Sequence, residues 1–204
     1  MSTVPIRKLT AEEYLAIERL AEFKSEFYRG EMFAMAGAST AHSLIQANLI
    51  WRLSERLAGT PCRAMGSDQR VHISITGLYT YPDVVVFCHP PQYLDAHSDT
   101  LLNPKVLFEI LSDSSEEYDR GTKAHHYLKI ESLREFVLVS QKQPLVQVYQ
   151  RLDNGDWLLH EESTLGGSLS LESIGIVVPL SEIYQSVTLP DSDPVKLADP
   201  EVRS

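Results

Sequence analysis

The sequence predicts a mixed β-sheet covered by helices on both faces, an α/β chain of the α+β kind. Three observations predict it. Helix-like and strand-like segments alternate along the chain. The hydrophobic spacing changes from a helical period to a two-residue period between Cys62 and Cys88. Two apolar runs, residues 84–87 and 106–111, are continuous in the manner of strands buried on both sides.

Each element has its own reason. Thr10-Ala-Glu-Glu13 is a capping box, and Tyr14, Leu15, Ile17 and Leu20 follow at helical spacing, so a first helix is expected over about residues 11–21. Arg29-Gly30 interrupts two short strand-like runs and predicts a hairpin. Ser39 can cap a second helix, on which Leu44, Ile45, Leu49, Trp51, Leu53 and Leu57 recur; Gly59 supplies the stop. Val71, Ile73 and Ile75 alternate with polar residues, Gly77 turns, and Pro82 introduces the 84–87 run. Residues 89–104 read as a solvated loop. Tyr127, Leu128 and Ile130 place a helix near residues 117–131. Strands are expected at 136–139 and 146–149, then a hairpin at Asn154-Gly155 leading into Trp157, and a strand at 168–171. Residues 177–184 are expected to end in a short helix.

With 204 residues, 43% of them hydrophobic, the chain can bury one sizeable core, and a single domain over residues 1–189 is expected, followed by a mobile tail at 190–204. No apolar stretch has the length to cross a bilayer, and residues 1–8 lack the apolar centre of a signal peptide, which together imply a cytoplasmic chain. In that compartment Cys62 and Cys88 read as two buried thiols. The net charge of −10 weighs against non-specific nucleic-acid binding, which draws on Lys and Arg at phosphates. Arg52, Arg56, Arg63, Arg70, Arg120 and Lys123 are available for DNA if the fold gathers them.

Two acids stand in apolar strands. Asp83 heads the 84–87 run and Glu109 lies between Phe108 and Ile110. A buried carboxylate costs several kcal/mol unless it is paired, hydrogen-bonded or bound to a cation. If the two strands pair, the two carboxylates converge on one hard cation, and Mg²⁺ takes one or two protein carboxylates while keeping water and substrate phosphate. Lys123, on the helix that follows, could return over the strand ends to hold a water or to stabilise charge on phosphorus. Each residue also has a plainer reading. Asp83 caps a turn, Glu109 pairs with Lys105 or Arg120, Lys123 lies on a solvated face, and Tyr127 is core. His42 at a helix start is either a hydrogen-bonded structural residue or a contact to substrate phosphate. His125 and His126 are adjacent on a helix and cannot both line one pocket.

Pro82-Asp83, Phe108-Glu109-Ile110-Leu111-Ser112, then Asp119, Lys123 and Tyr127 resemble the PD-(D/E)XK superfamily of restriction-endonuclease-like proteins. The closer likeness is to a large bacterial family of that type, formerly catalogued as a domain of unknown function. Glu26-Phe-Tyr-Arg-Gly-Glu31 and Ala38-Ser39-Thr40-Ala41-His42 extend it, over about residues 9–185. The resemblance implies a restriction-endonuclease-like core with a central mixed sheet of roughly four or five strands flanked by helices. It also implies Asp83, Glu109 and the Ile110 carbonyl as metal ligands, Mg²⁺ (or Mn²⁺) as cofactor and DNA as substrate. Asp83, Glu109 and Lys123 would then be catalytic, with Glu26, His42, Asp119 and Tyr127 as further candidates. The superfamily lysine two residues after the second acid is replaced by Leu111, so Lys123 would serve as a lysine migrated to the helix.

The sequence therefore points to a Mg²⁺-dependent endodeoxyribonuclease, with a homodimer as a plausible assembly. The alternatives are a non-catalytic binding or scaffold protein that keeps the fold, and a metal-dependent hydrolase of a small phosphorylated substrate.

Overall fold

A computed structural model describes residues 7–35 and 37–190. The tail expected at 190–204 lies outside these residues from position 191 onward, as do residues 1–6 of the N-terminus.

The chain opens with helix α1 (Ala11–Glu18), where Thr10 and Glu13 form the expected capping box. Strands β1 (Ser25–Tyr28) and β2 (Glu31–Ala34) make the predicted hairpin. Its turn residues, Arg29 and Gly30, both have positive φ (51° and 88°), the combination whose twist matches a two-residue hairpin. Helix α2 (Thr40–Arg56) starts on the Ser39 hydroxyl, which accepts from the His42 amide.

Five strands follow: β3 (Cys62–Gly66), β4 (Arg70–Ile73), β5 (Leu78–Thr80), β6 (Val84–Cys88) and the short β7 (Thr100–Leu101). The segment read as a solvated loop therefore contains a strand, and both β7 residues are buried against β4. Strand β8 (Val106–Leu111) leads into a composite helix: α3 (Glu116–Tyr118), one π-helical turn (Asp119–Lys123) and α4 (Ala124–Tyr127). This is shorter than the expected helix to residue 131. Strands β9 (Glu135–Ser140), β10 (Val146–Arg151), β11 (Trp157–Glu162), β12 (Ser168–Leu171) and β13 (Ile176–Pro179) and helix α5 (Leu180–Ile183) complete the order.

The central sheet has six strands in the order β11-β10-β9-β8-β6-β3, wider than the four or five expected, with one parallel pair, β8 and β9. A second, five-stranded sheet runs β2-β1-β5-β4-β7. Strand alternation sorts the central side chains into two layers. Val84, Val86, Phe108 and Ile110 pack with Ile45, Leu49 and Leu53 of α2. Val85, Phe87, Leu107 and Leu111 pack on the other face with Tyr127 and with Val71, Ile73 and Leu78 of the second sheet. All six β8 residues are buried. Each fully buried apolar side chain contributes about 1.5–3 kcal/mol, so the five apolar residues of β8 outweigh the several kcal/mol that Glu109 costs.

Cys62 and Cys88 are register partners on β3 and β6, and their sulfurs form a disulfide, which corrects the reading of two thiols. The antiparallel pairing brings the two side chains together on one face of the sheet; their separation of 26 residues in sequence gave no such signal.

Outside the central layers, Arg19 Nε bonds Asp99 Oδ2 at 2.7 Å, and Arg70 Nη2 reaches the same oxygen at 2.9 Å. The hydrogen bonds from Arg19 hold the Asp99 carboxyl below the usual carboxylate range, against a smaller opposing effect of burial. A depressed carboxyl adds stability above its unfolded pKa, about 3.9, and the gain disappears as pH falls through the folded value. Asp99→Asn is therefore expected to lower the melting temperature at neutral pH. Its deficit against the native chain should shrink as thermal unfolding is followed down from about pH 5 to well below pH 4.

Candidate active site

Antiparallel pairing of Val84 with Phe108 places Asp83 opposite Glu109, one register step beyond the last paired residues. Directly opposed residues share a face. That face is the one carrying Val85, Leu107 and Leu111, so Glu109 points toward the composite helix and the second sheet, while Asp83, at the entrance of β6, also lies within reach of the first turn of α2. The Ile110 amide donates to Asp83 Oδ2 at 2.7 Å, which ties the Asp83 side chain to β8.

Three more elements deliver polar groups to the same place. On the composite helix, Asp119, Lys123 and Tyr127 follow at four-residue steps and share one face. Lys123 Nζ lies 2.9 Å from Glu109 Oε1, 3.3 Å from Glu26 Oε1 and 3.6 Å from Asp119 Oδ1. The Tyr127 hydroxyl donates to Glu109 Oε1 at 2.5 Å. From the hairpin comes Glu26, whose neighbour Phe27 turns the other way onto Tyr14 of α1. From the first turn of α2, His42 Nε2 meets Asp83 Oδ2 at 3.1 Å; its buried Nδ1 has no hydrogen-bond partner among the described residues.

All of the sequence-predicted site residues thus belong to one assembly, and Lys123, which is 5% exposed, does not lie on a solvated face. Neither Asp83 nor Glu109 is paired with Lys105 or an arginine. For Ile110 the observed contact is its amide on Asp83. His126 is buried beside Tyr28, with ring centroids 4.8 Å apart, and lines the cleft, while His125 faces out.

Three contributors escaped the sequence reading. The Tyr118 hydroxyl donates to Glu26 Oε2 at 3.0 Å, the Thr80 hydroxyl donates to Glu26 Oε1, and Gln46 Nε2 donates to the Asp83 carbonyl at 2.8 Å. Gln46 had a usable signal, since it stands one turn after His42 on the same face of α2. Thr80 and Tyr118 had none.

Burial drives the Glu109 carboxyl well above its ordinary range; Asp83 and Asp119 push the same way, and Lys123 opposes. Burial alone would lower the Lys123 ammonium, but Glu109, Tyr127, Glu26 and Asp119 outweigh it and hold the group well above its ordinary value. These two shifts compete, because a protonated Glu109 withdraws its support from Lys123. Glu26 and Asp119 also face the ammonium, so the upward direction for Lys123 does not depend on Glu109 alone. Asp119 is also raised, chiefly by burial.

The assembly opens into a cleft of about 1350 Å³. Six acids (Glu22, Glu26, Asp83, Glu109, Asp113, Asp119) line it against two lysines, Lys24 and Lys123. The other cations considered for DNA are engaged elsewhere: Arg52 and Arg56 with Glu182, Arg70 with Asp99, Arg120 with Glu116, and Arg63 with backbone carbonyls.

Residues 11–181 match the family described as "Uma2: Putative restriction endonuclease". The chain belongs to the Uma2 family. Two relatives from Synechocystis sp., both described as uncharacterized, are similar along most of their length. The protein slr1290 is 35% identical over 185 residues, covering 91% of this chain and 96% of the relative. The protein sll1609 is 36% identical over 153 residues, covering 75% and 86%. A crystal structure from Anabaena variabilis, described as a putative nuclease belonging to DUF820, superposes with a TM-score of 0.71 at 18% identity, over 86% of this chain and 97% of that one. The Uma2 chain therefore has a nuclease-like fold, with mixed sheets flanked by helices. No helix among the described residues is long and apolar enough to cross a membrane.

Proposed function

We propose that this Uma2 chain is a Mg²⁺-dependent endodeoxyribonuclease. The reading is carried by the opposition of Asp83 and Glu109 on one face of the central sheet, at the floor of an open cleft, with Lys123 against Glu109. Among the described residues no group of three or more His, Cys, Asp and Glu side chains converges in a metal-holding arrangement. The fit rests instead on two carboxylates and a backbone oxygen, hard donors in the small number that Mg²⁺ takes from protein. The charge balance supports it as well. Glu26, Glu109 and Asp119 face one lysine, and Asp83 stands opposite Glu109, a surplus of acids over cations in a buried place.

Asp83, Glu109 and the Ile110 carbonyl would hold the ion. When bound, it would polarise the phosphodiester and lower the pKa of an attacking water. The protein's own groups do the rest. His42 and the Ile110 amide fix the Asp83 carboxylate, and the Tyr127 hydroxyl fixes that of Glu109. Lys123 directs its ammonium toward the cleft floor, where it orients water and offsets charge growing on the phosphoryl oxygens. Glu26 and Asp119 keep Lys123 protonated and in place.

Calorimetric titration with Mn²⁺ tests the site. A saturable heat is expected from the native chain and is expected to vanish in Asp83→Ala. A native chain that gives no such heat, or a variant that gives the same heat, refutes the metal site and leaves a scaffold that kept the fold.

The acidic lining of the cleft favours a second reading, hydrolysis of a small phosphorylated substrate, for which scarce cations are no handicap. Side-by-side assay of small phosphodiesters and plasmid DNA separates the two.

A further inference from the structure

The mouth of the cleft has a feature that the proposed chemistry does not use. Register pairs Glu26 with Phe33, and the Met35 amide donates to the Lys24 carbonyl at 3.0 Å, so the hairpin continues one pair beyond β1 and β2. By two-residue alternation, Lys24, Glu26, Phe33 and Met35 share a face, and all four line the cleft. Phe33 is 49% exposed although it stands directly opposite Glu26, which contacts Lys123. Phe23, just before β1, lines the same opening and is 78% exposed. Two large aromatic rings thus stand open to water beside the acidic cluster, one by about half and the other over most of its surface.

Charge and base pairing together decide what can lie on them. A DNA duplex carries about one negative charge per 1.7 Å of axis and is held mainly by many Lys and Arg contacts. This cleft offers two lysines. Lys24 is committed to Asp68 and to the Ser67 carbonyl, both within 2.9 Å, and Lys123 faces three carboxylates. A single strand carries phosphates too, but it offers what a duplex does not, an unpaired base whose π-face is free to stack on an aromatic ring, and that stacking supplies binding where cations are few. We propose that Phe33, with Phe23, forms a stacking subsite for an unpaired base of single-stranded DNA, next to the phosphate presented to Asp83 and Glu109. Rested on the nuclease reading, this narrows its substrate from DNA in general to unpaired strands.

Binding is measured by fluorescence anisotropy on the full chain carrying Glu109→Gln, so that cleavage does not interfere. The probes are labelled oligothymidylate and a blunt duplex with the same label. The background protein is expected to prefer oligothymidylate. Adding Phe33→Ala should weaken oligothymidylate binding about tenfold or more, the equivalent of losing one stacked base, and leave duplex binding unchanged. Phe33→Tyr should restore it. Tighter binding of duplex, an oligothymidylate affinity indifferent to Phe33→Ala, or no binding of either probe overturns the subsite. The hydrolysis reading fails separately: a chain that binds through Phe33 but cleaves nothing keeps the stacking subsite and loses the nuclease. A native chain that cleaves DNA while the affinity ignores Phe33 does the reverse.

Discussion

Glu109→Gln is expected to reduce Mg²⁺-dependent phosphodiester cleavage on the order of 1000-fold while the chain remains folded. The amide keeps the size and shape of the carboxylic acid and can still accept the Tyr127 hydroxyl, so the packing of Leu107 and Leu111 on either side is undisturbed. What disappears is a buried group able to carry negative charge. Because burial raises the Glu109 carboxyl, its protonated form is the one the fold favours, and that contribution is present below the unfolded pKa, about 4.3, and lost as pH rises through the folded value. In EDTA the native chain should therefore lose stability as pH climbs above the ordinary carboxylate range. The variant should show a flatter profile and equal or greater stability near neutrality. Thermal unfolding against pH reads the second effect, and plasmid cleavage reads the first. Cleavage at the native rate by the variant would remove Glu109 from the chemistry.

Lys123→Met is the second large effect. It removes the cation that faces Glu26, Glu109 and Asp119 and leaves their charges uncompensated. Breaking a buried ion pair from one side costs about 3–5 kcal/mol, and this loss should appear in denaturant unfolding at pH 7 in EDTA. The sign follows from the lysine. Its ammonium is held above its ordinary value, so its stabilisation is fully present at neutral pH and is lost only as pH rises through the folded pKa. An unchanged midpoint would mean that the three acids are already neutral in the fold.

Much of this site could be read before any coordinates. A charged residue inside a continuous apolar run carries its own signal, because the cost of burying Glu109 demands a partner. The four-residue steps from Asp119 to Lys123 to Tyr127 encode a shared face, and the caps at Thr10 and Ser39 encode helix starts. These are local properties. Other features depend on partners far along the chain and had no local trace. Nothing near Cys62 announces Cys88, nothing near Glu26 announces Thr80 or Tyr118, and the arginines could not be assigned to Asp99 or Glu182 without the fold. The single π turn at Asp119–Lys123 was equally silent, since an inserted residue shifts the ladder without changing composition.

The lysine reaches the acids from the composite helix rather than from β8, so the site is made of two separable parts. Asp83 and Glu109 are held by the ladder of the central sheet, whereas Lys123 is held only as firmly as the helix is seated. On the proposed nuclease reading, a displacement of that helix by an ångström or so would leave ion affinity intact and silence turnover, so that activity could be lost while the ligand is kept.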